Sequence, residues 1–165
     1  MKTIIDKEQF NRTLKRMTHE IIEKNDDLSK LVLVGLERKG TPIAKEIQKL
    51  INQFEGVMVP VEAININAHR DDHKKIEGVK TVFNTNVNNN TVILVDDVLY
   101  TGRSVRAAMD AIMDMGRPSK IMLAIFVDRG HRELPIRADV VGKSIPTSKE
   151  ETVIVNFEEK QVIIK

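Results

Sequence analysis

The sequence predicts an α/β fold in which a mostly parallel sheet is flanked by helices. Three apolar runs, at 31–36, 91–95 and 120–127, are continuous rather than alternating, as in strands that are buried on both faces. Segments with an apolar residue every three or four positions, as in amphipathic helices, separate these runs. Strands that alternate with helices form parallel βαβ units. Ligands bind at the carboxyl ends of such strands, so we expect the site in the loops that follow Leu36, Val95 and Val127.

The first two helices are predicted from the residues at which they start and from the helical spacing of their apolar residues. Asp6 and Gln9 stand three residues apart, as in a capping box, and an apolar stripe follows them to about residue 24. Thr41 and Pro42 predict the N-cap and the first turn of the second helix, whose helical period continues to residue 56.

A third helix and several short strands complete the predicted order. The helix is expected over about 104–115, because a glycine and a proline follow it at positions 116 and 118. The remaining segments that favour strands are 57–66, 139–141, 152–157 and 162–164.

Length and composition predict a single domain over residues 1–165, since domains commonly run to about 100–200 residues. Hydrophobic residues make up 41% of the chain and charged residues 30%, which excludes a disordered class. No run approaches the roughly 18 apolar residues of a membrane span, and the charged N-terminus offers no apolar signal segment. The absence of cysteine excludes disulfides, thiol catalysis and cysteine-bound metal, so we expect a cytoplasmic protein.

The sharpest functional signal is the segment 92–104, where a buried strand leads into an acid pair and then into Thr-Gly-Arg-Ser. Glycine allows the backbone to approach a ligand closely, and the free N–H groups at a helix start bind anions. The two carboxylates can each accept a hydrogen bond from a ribose hydroxyl. The order of these features favours a ribose 5-phosphate site over the alternative, an ordinary loop with solvated aspartates and a threonine N-cap. Asp96 and Asp97 are the predicted catalytic residues. The predicted nucleotide-binding residues are Asp96, Asp97, Val98, Leu99, Tyr100, Thr101, Gly102, Arg103 and Ser104.

This segment resembles the signature that binds phosphoribosyl pyrophosphate (PRPP) in type I phosphoribosyltransferases. Longer stretches resemble the PyrR family of pyrimidine-operon attenuation regulators, at 91–118, 123–139, 142–148, 18–23 and 70–72. The string from Asp128 to Arg137 is far more specific to that family than the PRPP signature. The resemblance implies a type I phosphoribosyltransferase fold with a small β hood. It also implies an RNA-binding attenuator that responds to UMP or UTP and transfers phosphoribosyl from PRPP to uracil, giving UMP and pyrophosphate.

The resemblance further implies roles for residues outside the central loop. Pyrophosphate would bind to the loop after the first buried strand, formed by Glu37, Arg38, Lys39 and Gly40. The family usually has Lys-Thr-Arg-Gly there, so a lysine point charge replaces a bidentate guanidinium at position 39. Backbone groups near Val127 and Asp128 would read the uracil edge. The candidate RNA contacts are Lys15, Arg16, His19, His69, Arg70, His131 and Arg132.

Several alternatives stay open. Lys15, Arg16 and His19 share one side of the first helix, where a charged cluster is usually a solvated face. His131 could be a solvated loop histidine, and Tyr100 could either pack or screen the reacting centre from water. The alternative to the uracil enzyme is a purine or xanthine phosphoribosyltransferase without RNA function, since those enzymes share the PRPP signature.

The expected cofactor and assembly also follow from these considerations. Four histidines, with no cysteine and no H-E-x-x-H motif, exclude a zinc site. We therefore expect no metal bound directly by the protein and Mg²⁺ carried in with the pyrophosphate of PRPP. The expected partners are uracil, PRPP, UMP or UTP, and a pyr leader mRNA, in a homodimer or homotetramer with no membrane partner.

Overall fold

The structure, a computed structural model, describes residues 1–67 and 83–165. Its elements follow the predicted alternation of strands and helices, which confirms the α/β class. The predicted capping box is confirmed, because Asp6 accepts the N–H of Gln9 while Gln9 accepts the N–H of Asp6. In chain order the elements are β1 (Lys2–Ile5), α1 (Lys7–Glu23), a 3₁₀ turn (Leu28–Lys30), β2 (Leu31–Leu36), α2 (Glu37–Glu55), β3 (Val61–Ile64), β4 (Thr91–Leu99), α3 (Arg103–Met115), β5 (Lys120–Asp128), β6 (Val140–Ser144), β7 (Val153–Asn156) and β8 (Gln161–Ile164).

The order of strands in the main sheet creates a crevice. Within the described residues, five parallel strands lie in the order β3-β2-β4-β5-β6. The chain leaves β2 toward β3 on one side and returns to β4 on the other, so the strand order reverses between β2 and β4. Ligands bind at such a reversal, beyond the carboxyl ends of the strands. Gly35 is paired with Val95, so Leu36 and Asp96 come to lie next to each other at that edge.

Apolar side chains cover both faces of the main sheet. On one face α1, α2 and the terminal strands pack together, with the ring centroids of Phe10 and Phe126 4.5 Å apart. On the other face α3 packs through Val105 and Ile112. Every residue of β2 is buried, as its continuous apolar run predicts. Among residues 1–67 and 83–165, no helix has the length and apolar character needed to cross a membrane.

A small antiparallel sheet is built from the two ends of the chain. In the described residues it has three strands, in the order β1-β8-β7. Phe157, which directly follows β7, lines the cleft described below, so this sheet stands beside the site. β1 was not predicted, because four residues carry too little pattern to mark a strand.

The start of α2 differs from the prediction. Thr41 is not an N-cap, because α2 begins at Glu37 directly after β2 and Pro42 lies inside the helix. The Thr41 hydroxyl donates to the Glu37 carbonyl instead. Tertiary packing explains the difference: a Cβ on Gly35 would lie 2.4 Å from the Thr41 Cα, so the helix start rests directly on the strand.

Two strand boundaries also differ from the prediction. The strand expected at 91–95 continues to Leu99, so the acid pair belongs to β4 rather than to the following loop. Pairing with β5 sustains this extension, since Leu99 lies opposite Asp128. β6 was expected at 139–141 and runs to Ser144, because it too follows the end of β5.

Candidate active site

A cleft of about 1460 Å³ opens at the carboxyl ends of β2, β3 and β4. The first turns of α2 form one wall, and the residues that follow β3 form another. The cleft brings together three features that the sequence predicts separately: the pyrophosphate loop, the acid pair and the start of α3. Of the predicted site residues, its lining includes Glu37, Arg38, Lys39, Asp96, Asp97, Val98 and Ser104.

The acid pair is held by backbone donors at the end of β4. Asp96 is only 8% exposed, whereas Asp97 is half-buried. The Asp97 N–H donates to Asp96 Oδ1 at 2.8 Å, and the Val98 N–H donates to Asp97 Oδ1 at 2.7 Å. Both side chains line the cleft, where their carboxyl groups can accept hydrogen bonds from the hydroxyls of a sugar.

The surroundings of Asp96 disfavour its charge. Burial raises the pKa of Asp96 well above its ordinary value, and the adjacent Asp97 carboxylate raises it further, with a smaller contribution from Glu37. The hydrogen bond from the Asp97 N–H acts in the opposite direction and lowers the pKa of Asp96. A ligand that supplies hydroxyl donors or a cation here would relieve an unfavourable buried charge.

The predicted pyrophosphate loop forms the first turn of α2. Glu37, Arg38 and Lys39 are exposed, and Gly40 is buried against β4. A Cβ on Gly40 would lie 2.3 Å from the Val95 carbonyl oxygen, so only glycine allows this approach to the strand that carries the acid pair. The first N–H groups of a helix lack partners inside it, and the helix dipole favours an anion at that end.

Two further lysines line the cleft without having been singled out in the sequence. Lys45 and Lys49 lie one helical turn apart on α2, beyond Arg38 and Lys39. In the part of the chain that the structure describes, no hydrogen bond or ion pair engages any of these four side chains. Cations without partners in a cleft favour an anionic ligand. Their spacing along the helix after the pyrophosphate loop is the signal that could have identified them.

Asn65, Asn67 and Phe157 also line the cleft, and no sequence pattern marks them. The two asparagines follow β3, at the same sheet edge as the acid pair. Phe157 follows β7 and arrives from the small terminal sheet. Only the tertiary fold brings these separate chain segments to one cavity.

The phosphate loop, residues 99–104, leads from β4 into α3. Gly102 is the N-cap of α3, with a φ of 94°, and as a glycine it offers no side chain to cap the helix. Thr101 Oγ1 accepts the N–H of Arg103 at 3.3 Å, so the threonine does contribute a cap-like hydrogen bond. Within residues 1–67 and 83–165, the N–H groups of Thr101 and Gly102 have no acceptor. Together with the first N–H groups of α3, they can bind a phosphate.

The remaining residues of this loop make contacts within the chain. Leu99 is buried in the core, and Arg103 Nε donates to Glu133 Oε1 at 2.8 Å. The Arg129 guanidinium lies 4.2 Å from the centroid of the Tyr100 ring, and the His131 ring meets the same ring edge-on at 5.7 Å. These contacts favour the packing interpretation of Tyr100.

The residues predicted to read uracil do not line the cleft. The side chain of Val127 is fully buried in the core. Asp128 accepts the Gly130 N–H at one carboxylate oxygen and an Arg132 N–H at the other. The Asp128 carbonyl accepts the N–H of Ile145 at 2.8 Å. Recognition of uracil by these residues therefore stays a prediction.

Most of the predicted RNA contacts are engaged within the chain. Arg16 donates to the carbonyls of Val141 and Gly142, and the His19 ring stacks on Phe54 with centroids 4.4 Å apart. His131 hydrogen-bonds through Nε2 to the Thr147 carbonyl. The Arg132 guanidinium donates to Tyr100, Ile136 and Asp128. Lys15 is exposed, while His69 and Arg70 lie outside the described residues.

A second, smaller groove of about 350 Å³ runs between α1 and β6. Three cations line it, Arg12, Arg16 and Lys143, together with Ile5, Gln9 and Thr13. Lys143 was not among the predicted RNA contacts. Its neighbours come from a helix distant in sequence, so only the fold places it beside Arg12 and Arg16.

Comparison with known proteins agrees with this architecture. A family model described as a phosphoribosyl transferase domain matches residues 1–160. In solved structures the chain resembles a hypoxanthine phosphoribosyltransferase from Staphylococcus aureus, with a TM-score of 0.77 and 16% identity over 98% of this chain and 90% of that one. It also resembles the hypoxanthine phosphoribosyltransferase of Trypanosoma cruzi, with a TM-score of 0.76 and 15% identity over 99% of this chain and 95% of that one. At such low identity these likenesses confirm the type I phosphoribosyltransferase fold and nothing finer.

Curated relatives are much closer in sequence. A protein of Clostridioides difficile named bifunctional protein PyrR is 52% identical over 158 residues, which cover 93% of this chain and 89% of that protein. A protein of the same name from Caldicellulosiruptor bescii is 51% identical over 162 residues, covering 96% of this chain and 89% of that protein. The chain belongs to the PyrR family of proteins with a phosphoribosyl transferase domain.

Proposed function

We propose that this chain transfers phosphoribosyl from PRPP to uracil, giving UMP and pyrophosphate, and that it regulates a pyrimidine operon by binding its leader mRNA. The observation that carries the enzymatic part is the single cleft between β2 and β4. It joins the acid pair, the cationic first turns of α2 and the start of α3. Family membership supports both activities.

Catalysis in this cleft rests on positioning and electrostatics. In the reaction the bond between the anomeric carbon and pyrophosphate breaks, and the ribose gains oxocarbenium character. The uracil nitrogen that bonds to that carbon gives up its proton to water. Asp96 and Asp97 hold the ribose hydroxyls, and the phosphate loop holds the 5-phosphate. Arg38 and Lys39 face the leaving pyrophosphate and stabilise its growing charge, as cations at a leaving group do. No side chain has to act as a nucleophile.

The residues of the cleft fit a Mg²⁺ ion that PRPP brings with it. Among the described residues, no group of three or more histidine and carboxylate side chains could hold a metal alone. Mg²⁺ usually keeps several waters and binds through one or two carboxylates together with substrate phosphates. The acid pair lies in the cleft to which PRPP would bring the ion, and the ion would neutralise charge on the pyrophosphate.

An assay with several nucleobases tests the enzymatic proposal. With PRPP and Mg²⁺ present, we expect UMP from uracil and no nucleotide from hypoxanthine, guanine or xanthine, measured in parallel by chromatography. Products from the purines alone would favour the purine enzyme, which rests on fold likeness and the shared PRPP signature. No product from any base would contradict the enzymatic proposal altogether.

The groove between α1 and β6 supports the RNA-binding part of the proposal. Arg12, Arg16 and Lys143 line it, and the exposed Lys15 lies on the same helix as the first two. Such cations can neutralise the phosphates of an RNA loop. UMP or UTP in the cleft would strengthen RNA binding, which makes the cleft a nucleotide sensor as well as an active site.

Lysine substitutions beside the groove test the RNA surface. We expect Lys143→Ala and Lys15→Ala each to weaken binding of a pyr leader RNA, because each removes a cation that neutralises a phosphate. Filter binding at several salt concentrations gives the slope of the logarithm of the RNA binding constant against the logarithm of salt concentration. This negative slope should become less steep by about 0.7 for each phosphate that is no longer neutralised. Lys24→Ala, an exposed lysine at the end of α1, is the control and should leave affinity and slope unchanged. Identical slopes in all variants would contradict this surface.

Assembly and location complete the proposal. We expect a homodimer or homotetramer, in keeping with large apolar side chains at the surface, of which Met58 is 65% and Met113 59% exposed. The lack of cysteine suits the reducing cytoplasm.

A further inference from the structure

The first three carbonyl groups of the phosphate loop accept hydrogen bonds from one neighbouring stretch of chain, residues 128–136, here called the scaffold segment. Its donors reach three successive carbonyls of the loop. The bonds are Arg129 N–H to the Leu99 carbonyl (3.1 Å), Arg132 Nη1 to the Tyr100 carbonyl (2.8 Å), and the N–H groups of Glu133 (2.9 Å) and Leu134 (3.3 Å) to the Thr101 carbonyl.

These bonds fix the direction of the N–H groups of Thr101 and Gly102. In a planar trans peptide, the carbonyl of one residue and the N–H of the next point in opposite directions. Anchoring the Tyr100 and Thr101 carbonyls therefore turns the N–H groups of Thr101 and Gly102 away from the scaffold segment. As noted above, these N–H groups of Thr101 and Gly102 have no acceptor within the described residues.

Arg132 makes the only side-chain contribution from the scaffold segment to these carbonyls in the described structure. Its guanidinium bridges the Tyr100 carbonyl, the Ile136 carbonyl at 2.9 Å and the Asp128 carboxylate. It thereby ties the phosphate loop to the end of β5 and to the far end of the scaffold segment. The side chain of Ile136 in turn packs under Gly102, where an added Cβ would lie 3.3 Å from it.

We propose that the scaffold segment pre-organises the phosphate loop for the 5-phosphate of PRPP and UMP, with Arg132 as its positioning residue. Donors that are already aimed at a charge cost no reorganisation when the ligand binds. This role rests on the three internal acceptors of the guanidinium, and the RNA contact that the sequence predicts for Arg132 stays a separate prediction. The inference rests on the proposed function, which places the 5-phosphate at this loop.

Two measurements test this role: calorimetry of ribose 5-phosphate binding, and steady-state kinetics with PRPP. We expect Arg132→Gln to weaken ribose 5-phosphate binding and raise the KM for PRPP, each by about tenfold, as loss of charge-assisted hydrogen bonds implies. The kcat should change by less than about twofold, since the 5-phosphate is bound equally in the ground and transition states. Arg132→Lys should fall between wild type and Arg132→Gln, because an ammonium cannot bridge all three acceptors. It also serves as the second variant if Arg132→Gln does not fold.

Arg137→Gln is the matched control, since it removes the same charge from an exposed position just beyond the scaffold segment. It should bind ribose 5-phosphate as wild type does. A purely structural role for Arg132 would lower the Tm and kcat while leaving the Kd and KM unchanged, and that result would overturn the positioning role. Failure of the wild-type protein to bind ribose 5-phosphate and form UMP would instead overturn the proposed function, and this inference with it.

Discussion

Gly40→Ala should reduce the rate of PRPP turnover by about 100-fold, which is the effect expected when a catalytic group is misplaced by about 1 Å. The added Cβ would lie 2.3 Å from the Val95 carbonyl oxygen and 3.1 Å from the Asp96 Cα. Both neighbours are backbone atoms of β4, which cannot turn aside as a side chain does. The start of α2 must therefore shift, and the pyrophosphate loop moves away from the acid pair. Steady-state kinetics with varied PRPP measure the effect.

A second glycine separates this effect from a general loss of stability. Overpacking at Gly40 should reduce the free energy of unfolding by about 1–3 kcal/mol. Gly56→Ala should reduce the free energy of unfolding by about 1–2 kcal/mol, because Gly56 ends α2 with a φ of 69° that an alanine adopts only under strain. No atom lies within 4 Å of a Cβ at Gly56, so its turnover should equal that of wild type. If the two variants turned over PRPP at the same rate, the site would not require the close approach of the pyrophosphate loop to β4, and the prediction would be contradicted.

Asp96→Asn should stabilise the protein in the absence of ligand. It should also slow PRPP turnover by roughly 10- to 150-fold, the rate factor that corresponds to losing one hydrogen bond to a charged acceptor. The amide keeps an oxygen that can accept the Asp97 N–H, so the backbone arrangement is preserved. It also removes a carboxylate whose charge is disfavoured by burial and by Asp97. Sites of this kind gain function at the expense of stability.

The pH dependence of this stabilisation has a definite sign. The pKa of Asp96 is raised in the folded state, so above its ordinary value of 3.8 the folded protein holds a proton that the unfolded chain releases. Stability of the wild type therefore falls as pH rises from that value toward the raised pKa. Asn does not titrate, so the Tm difference between Asp96→Asn and wild type should be near zero at about pH 4 and grow toward pH 7.

Thermal unfolding across this pH range provides the measurement, with Asp26→Asn as the control. Asp26 is exposed near the end of α1, and its substitution should change neither the Tm nor PRPP turnover. A lower Tm for Asp96→Asn at pH 7, or a difference that shrinks as pH rises, would contradict the assignment of Asp96 as a disfavoured buried charge.

Local patterns were enough to predict most of the fold. The continuous apolar runs marked β2, β4 and β5, because a strand buried on both faces needs apolar side chains at every position. The capping box marked α1, because it uses side chains only three residues apart. Patterns failed where an element depends on a distant partner, as at the start of α2, which rests on Gly35, and at the end of β4, which pairs with β5.

The family-specific string shows the same division between sequence and structure. Its likeness to the PyrR family was visible in the residues alone, and the comparisons confirm that family. The sequence predicts that His131 and Arg132 contact RNA, and this stays a prediction; the structure adds that both side chains bond to carbonyls of the same chain. Residue types alone carry no sign of these internal carbonyl partners, so only the fold reveals them.

The sequence by itself determined the α/β class and the family, and it predicted the acid pair and the phosphate loop, because each depends on residue types at short and fixed spacings. The tertiary structure alone decided which distant segments share the cleft. Lys45 enters it from the third turn of α2, Asn67 from beyond β3 and Phe157 from the terminal sheet. Their placement follows from the strand order and from the packing of the sheets, which are set by contacts between residues far apart in the chain.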